Sequence, residues 1–142
     1  DEELKRTYEL ITTIPGIGTQ NAVCLLTFTN NFTRFGYNAR KIACYYGIAP
    51  FGRDSGTSVH SDPHVHYMAN RMLKAMLTQA ALASIRCCAP ISHYYHRLLS
   101  LGKKKQVALN NVKNKLIHII TAMARNNQSF DSGYININQL VA

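Results

Sequence analysis

The chain has 142 residues and a formal net charge of +9 at neutral pH, which allows one domain with a modest hydrophobic core. No apolar run approaches the roughly 20 residues that a membrane helix needs, so a membrane span is excluded. Between Leu10 and Phe130 the sequence holds 14 Lys and Arg residues against two acids, Asp54 and Asp62. This excess of basic residues favours a domain that binds a polyanion. The alternative is a generically basic soluble protein.

The termini and the cysteines bear on the cellular compartment. No basic segment followed by an apolar one opens the chain, so no signal peptide is predicted, and Asp1 in place of Met indicates a fragment of a longer protein. The four cysteines are Cys24, Cys44, Cys87 and Cys88. They include no Cys-x-x-Cys pair and match no standard zinc spacing with the neighbouring histidines. We expect reduced cysteines, no metal site in this chain and a cytoplasmic location.

The first predicted elements are two helices joined by a tight turn. A helix over Leu4–Thr13 has acids near its start, where the helix dipole favours them. The segment Ile14–Gly18 breaks it, and Thr19 caps a second helix that runs to about Phe28 and is ended by Asn30 and its neighbour Asn31. The apolar positions at helical spacing are Leu4, Tyr8 and Ile11 in the first helix, and Ala22, Leu25 and Leu26 in the second.

A third, short helix is predicted over Phe35–Gly47, with Gly47 as its C-terminal cap. Its inward-facing residues are Ala39, Ile42, Ala43 and Tyr46. The chain then leaves the helix in extended form over Ile48–Phe51. A polar stretch over about residues 51–66 follows, which we interpret as a long loop or a short hairpin; loops of this length are often functional.

The C-terminal half predicts three more helices, over Met68–Arg86, Ile91–Leu101 and Lys103–Asn126. The expected core residues are Met68, Met72, Leu73, Met76, Leu77, Ala80 and Ala81 in the first of these, and Val107, Ala108, Val112, Leu116, Ile119, Ile120 and Met123 in the last. The whole pattern predicts a mainly α domain of about six helices over residues 1–126, followed by a polar tail over residues 127–142.

The turn Ile14–Gly18 and its flanking helices, about residues 4–28, resemble a helix-hairpin-helix DNA-binding element. Glycine permits the tight turn, and the first N–H groups of the following helix have no intrahelical acceptor. We expect the backbone N–H groups of Gly16, Ile17 and Gly18 to bind a DNA phosphate, which positions DNA without reading its sequence. The alternative is a turn that merely joins two helices.

The polar stretch carries Ser55 directly before a glycine, where its hydroxyl can approach a substrate closely. In DNA recombination a serine hydroxyl can attack a phosphodiester and hold the strand end covalently, and the flanking Arg53 would stabilise charge on the phosphate. The residues alone favour ordinary loop composition over this role. His60, His64 and His66 are candidate bases only by their proximity in the chain.

A basic run, Lys103, Lys104 and Lys105, is predicted in the first turn of the last helix, where the helix dipole disfavours cations. An external anion explains that placement, so we expect these lysines to contact a nucleic-acid backbone, with Arg71 and Lys74 on an earlier helix as further DNA contacts. A solvated charged face is the alternative for each residue. Additional cations on the three C-terminal helices are Arg86, Arg97, Lys113 and Lys115.

The order of these segments resembles the C-terminal domain of insertion-sequence-110 type transposases, also grouped as the 116/110/902 type. The matching stretches are IPGIG (14–18), RFGYNARKIACYYGIAP (34–50), DSGTS (54–58), ANRMLKAMLTQAAL (69–82) and HYYHRLLSLGKKKQVALNNVKNKLIHII (93–120). They cover about residues 8–125. No single stretch is specific, but the ordered set is. The chain departs from the common pattern at Tyr67, Ala69 and Lys74, and its loop carries histidines where Lys and Arg are usual.

The resemblance implies a part of a larger enzyme. Members join a RuvC-like domain with metal-binding acids to a domain like this one, whose Ser-Gly serine, here Ser55, is taken as the strand nucleophile. It also implies DNA as partner, Mg²⁺ in the full-length protein, self-association in the working complex and, in some members, a guide RNA. The isolated fragment should be inactive. Two other hypotheses stay open: a non-catalytic helix-hairpin-helix module, and a basic domain that binds only protein.

Overall fold

The computed structural model describes residues 1–48 and 67–131. Within these ranges the chain forms six α-helices, a 3₁₀ turn at Thr33–Phe35 and no strand, which confirms the predicted mainly α fold. The helices are α1 (Glu2–Ile11), α2 (Thr19–Thr29), α3 (Ala39–Tyr45), α4 (Tyr67–Cys87), α5 (Ala89–Ser100) and α6 (Lys105–Asn126).

Helix α2 begins and ends on local signals, although one of them differs from the prediction. The predicted cap at Thr19 is wrong, because Gly18 holds the N-cap position in extended backbone and Thr19 is the first helical residue. The Thr19 hydroxyl instead pairs with the Tyr8 hydroxyl at 3.1 Å, which ties α2 to α1. The predicted end is confirmed: Asn30 is left-handed, and the Asn31 N–H donates to the Leu26 carbonyl oxygen at 2.9 Å.

The region predicted as one helix over Phe35–Gly47 is divided. Gly36 and Tyr37 are left-handed, with φ of 57° and 54°, which interrupts any right-handed helix. Asn38 then starts α3 by accepting a hydrogen bond from the Lys41 N–H. At the C-terminal end Tyr46 is the C-cap of α3. Left-handed Gly47 follows it, at the position where glycine commonly ends a helix.

Helix α6 is central, since it packs against α1, α3, α4 and α5. Its buried residues are Ala108, Val112, Leu116, Ile117, Ile120, Thr121 and Met123. Two residues expected in the core are exposed instead: Val107 is 45% exposed in the first turn of α6, and Met72 is 47% exposed beside the buried stripe of α4. Leu4 on α1 is also exposed, at 41%, because the buried side of that helix is centred on Thr7 and Ile11.

The lysine run lies around the start of α6 rather than within its first turn. Gly102 is left-handed, and the Lys103 N–H still donates to the Leu98 carbonyl oxygen at the end of α5. Lys104 is the N-cap of α6, so only Lys105 lies in the helix as predicted. After α6 the chain returns to the Ile14–Gly18 turn. The Phe130 N–H donates to Oγ1 of Thr13, the residue just before that turn, at 3.0 Å.

Candidate nucleic-acid interface

The Ile14–Gly18 turn is a tight reversal whose two isoleucines are buried. The Ile17 N–H donates to the Ile14 carbonyl oxygen at 3.1 Å, and Gly16 between them has φ of 100°. Proline at the second position and a positive φ at the third are the features of a type II turn. Ile14 and Ile17 are 1% and 7% exposed, so the turn is anchored in the core.

Helix α4 fixes the position of this turn. The Ser84 hydroxyl donates to the Pro15 carbonyl oxygen at 2.9 Å, and Ser84 has no exposed surface. A Cβ added to Gly16 would lie 2.7 Å from the Ser84 Cα, so only glycine fits against α4 here. The turn and the start of α2 are therefore held by a contact with α4.

The N-terminus of α2 offers exposed backbone donors. Gly18 is exposed, its backbone is extended, and no side chain caps the helix. The first intrahelical bond joins the Ala22 N–H to the Gly18 carbonyl oxygen, so the N–H groups of residues 18–21 have no intrahelical acceptor. Of the three predicted donors, Ile17 already uses its N–H inside the turn, whereas the Gly18 N–H is one of the four without an intrahelical acceptor. Thr19 and Gln20, both exposed, are donor positions that sequence reasoning missed.

Ser55, the predicted nucleophile, and Arg53, the predicted phosphate clamp, lie outside the described residues. The structure does describe the last residue before that segment. Asn110 Nδ2 on α6 donates to the Ile48 carbonyl oxygen at 3.2 Å. Ile48 itself is buried, so the last described residue before residues 49–66 is anchored against α6.

Two lysines meet beside that point. The Lys74 side chain lies across Gly47, where an added Cβ would come within 2.6 Å of its Cε. The pKa of Lys113 on α6 is lowered by burial and by the charge of Lys74. Arg71 is exposed one turn earlier on α4, so the two predicted contacts on that helix share a face. An anion bound near the two lysines would relieve their mutual repulsion.

Two cations contact one aromatic ring, and a histidine interacts electrostatically with one of them and with a further arginine. We call this group the Tyr94 cluster; its members are Arg40, Tyr94, Arg97, Lys115 and His118. Lys115 Nζ and Arg97 Cζ lie 5.6 and 6.0 Å from the Tyr94 ring centroid. The pKa of His118 is lowered by burial and by the charges of Lys115 and Arg40. Sequence reasoning noted Arg97 and Lys115 singly but missed Arg40 and His118, because three different helices bring the members together.

The acids lie elsewhere. In the described residues they are Asp1, Glu2, Glu3, Glu9 and Asp131. None of them is in α2 to α6, so the cations of these helices have no carboxylate partner on the same helices. Among the described residues no group of three or more His, Cys, Asp or Glu side chains could hold a metal ion, and the four cysteines are free thiols.

The helices are not membrane spans. None of those in the described ranges combines the length and the apolar character needed to cross a bilayer.

Comparison with known proteins identifies the family. The chain is 32% identical over 123 residues to the insertion element IS110 uncharacterized 43.6 kDa protein of Streptomyces coelicolor, a match that covers 87% of this chain and 30% of that protein. It is 29% identical over 130 residues to the pilin gene-inverting proteins of Moraxella bovis and Moraxella lacunata, covering 91% of this chain and 40% of each. No solved structure matches. The chain thus spans well under half the length of these curated relatives. The model of the transposase IS116/IS110/IS902 family matches residues 8–96, more than half of the chain, and the chain belongs to that family.

Proposed function

We propose that this chain is the DNA-binding part of a transposase and takes part in DNA strand cleavage and joining. The observation that carries the proposal is the charge arrangement: helices α2 to α6 bear many cations and not one acid. Cations at this density, with no acid on the same helices, would be neutralised by a phosphate backbone. The relatives' names, which refer to an insertion element and to gene inversion, support DNA as the partner.

The hairpin formed by α1, the Ile14–Gly18 turn and α2 supplies the first DNA contact. Exposed N–H groups at the start of α2, together with the helix dipole, make an anion site suited to one phosphate. Such a contact acts on the backbone, so it orients DNA without selecting a sequence. Lys103, Lys104 and Lys105 are all exposed at the start of α6 and add backbone contacts there.

Ser55 supplies the nucleophile in a composite site with a domain that lies in another part of the full-length protein. Its hydroxyl oxygen attacks phosphorus and forms a phosphoserine ester, while the bond from phosphorus to the leaving deoxyribose oxygen breaks. A base takes the serine proton, and the departing oxygen takes up a proton to leave as a hydroxyl. Arg53 and Lys74 would stabilise the negative charge that develops on the phosphate. Self-association and, in some family members, a guide RNA would complete the working complex.

A matched pair of substitutions at Gly18 tests the hairpin contact separately from folding. A Cβ at Gly18 meets nothing within 4 Å, so Gly18→Asp and Gly18→Asn should both fold, each with a side chain able to cap α2. The Asp carboxylate would repel a phosphate at the same N–H groups. Gly18→Asp should lose about tenfold or more in affinity for a fluorescein-labelled DNA duplex, and more than Gly18→Asn. Unchanged affinity of the Asp variant would contradict the contact.

The nucleophile is tested in the full-length protein. Incubation with DNA that carries the element's ends should give a covalent DNA–protein adduct on a denaturing gel. Ser55→Ala should abolish the adduct, and Ser58→Ala, in the same segment, should retain it. A Ser55→Ala protein that recombines DNA at the normal rate would show that the serine has no such role and would favour a non-catalytic helix-hairpin-helix module.

The rival that binds only protein is tested by salt. Duplex binding by a phosphate-contacting domain should weaken by orders of magnitude between low and moderate salt, because each contact releases condensed counterions. The absence of duplex binding at about 50 mM salt, where such contacts are strongest, would favour the protein-only alternative.

A further inference from the structure

We propose that the Tyr94 cluster is a second phosphate site, distinct from the hairpin, which binds the phosphodiester backbone of DNA. The inference rests on the proposed function for its partner and adds a place to it. The cluster is built by α3, α5 and α6, none of which takes part in the hairpin.

The geometry of the cluster holds two cations on one ring. Lys115 from α6 and Arg97 from α5 both lie within about 6 Å of the Tyr94 centroid, so the ring stabilises each of them while they repel each other. Lys115 is half-buried, which restrains its aliphatic stem and limits the movement of its ammonium group into solvent. An anion placed between the two cations would relieve the repulsion and accept hydrogen bonds from both.

The surroundings of His118 couple this site to a proton. Burial lowers the pKa of His118, and the charges of Lys115 on its own helix and of Arg40 on α3 lower it further. The pKa of Lys115 is in turn lowered by burial and by Arg97 on α5. His118 is therefore mainly neutral at neutral pH. A bound phosphate reverses the sign of the local potential, so His118 binds a proton more readily in the complex and affinity rises as pH falls.

Salt titrations of the 142-residue chain with a fluorescent DNA duplex test the site. Arg97→Gln and Lys115→Gln should each weaken binding several-fold and reduce the slope of log affinity against log salt by about 0.9, the value for one lost contact. Lys5→Gln on α1 removes the same charge from an exposed position outside the cluster and should leave the slope unchanged. Lys115→Arg keeps the positive charge and should bind DNA as the wild type does. That result would show that Lys115→Gln weakens binding through the lost charge and not through misfolding.

A pH series gives the second readout. The gain in duplex affinity from pH 7.5 to 5.5 should be smaller in His118→Gln than in the wild type, and unchanged in His96→Gln, whose ring bonds to the Ser92 carbonyl oxygen instead. Cluster variants that behave like Lys5→Gln, with Gly18→Asp still defective, would overturn this site alone. If the wild type does not bind the duplex at all, the proposed function is overturned as well. A single-stranded RNA that responds to the variants while the duplex does not would refute DNA as the occupant.

Discussion

The hydroxyl of Ser84 donates a hydrogen bond of 2.9 Å to the carbonyl oxygen of Pro15, a residue 69 positions earlier in the chain. This bond joins the middle of the Ile14–Gly18 turn to α4, next to the position where Gly16 has no room for a side chain. The orientation of the α2 N-terminus, and of any phosphate bound there, therefore depends on α4.

Ser84→Ala should lower the free energy of unfolding by about 1–3 kcal/mol, because the Pro15 carbonyl oxygen loses its hydrogen-bond donor, the fully buried Ser84 hydroxyl. Urea denaturation followed by circular dichroism measures this change. Ser100→Ala is the control, since Ser100 is exposed and bonds only within α5, and its effect should stay within about 0.5 kcal/mol. Equal effects in the two variants would mean that the turn is not held by Ser84.

Gly16→Ala should destabilise the protein more than Gly36→Ala. Both glycines have positive φ, so both substitutions carry a backbone cost of about 1–2 kcal/mol. Only Gly16 also faces Ser84 at close range, whereas nothing lies within 4 Å of a Cβ at Gly36. The difference between the two unfolding free energies isolates the steric contact with α4, and a difference near zero would show that α4 can move away without cost.

His118→Gln should reduce the loss of stability on acidification. The pKa of His118 is lowered in the folded chain by burial, Lys115 and Arg40, so the unfolded chain binds this proton more tightly. Stability therefore falls as pH drops through the ordinary histidine pKa of about 6.5 toward the lower folded value. Urea midpoints at pH 7 and pH 5 should differ less in His118→Gln than in the wild type. A larger difference in the variant would have the wrong sign for this assignment.

Lys74→Gln should stabilise the fold while it weakens DNA binding. The pKa of Lys113 is lowered by burial and by Lys74, so removal of one charge relieves repulsion at neutral pH. The gain should not exceed about 1 kcal/mol, because Lys74 is exposed, and it should shrink in high salt. Lys41→Gln, at an exposed position on α3, is the matched control. A Lys74→Gln protein that is less stable would show that its stem over Gly47 matters more than its charge.

The sequence by itself determined the features that depend on near neighbours. Apolar spacing predicted the helices, and residues that tolerate left-handed backbone marked their ends at Asn30, Gly47 and Gly102. The same locality explains the errors: Thr19 is a good capping residue, but Gly18 takes that position and Thr19 pairs with Tyr8. The order of motifs also sufficed to predict the family. The nucleophilic role of Ser55 stays a prediction from that resemblance.

Tertiary structure alone decided which of those helices meet. Helical periodicity assigned Met72 and Val107 to the core, but burial depends on whether a neighbouring helix covers them, and none does so fully. The contact of Ser84 with the turn and the assembly of Arg40, Arg97 and His118 around one surface join residues far apart in sequence. Hydrogen bonds within a helix act over about four residues, whereas packing and Coulomb forces act on whatever the fold brings together.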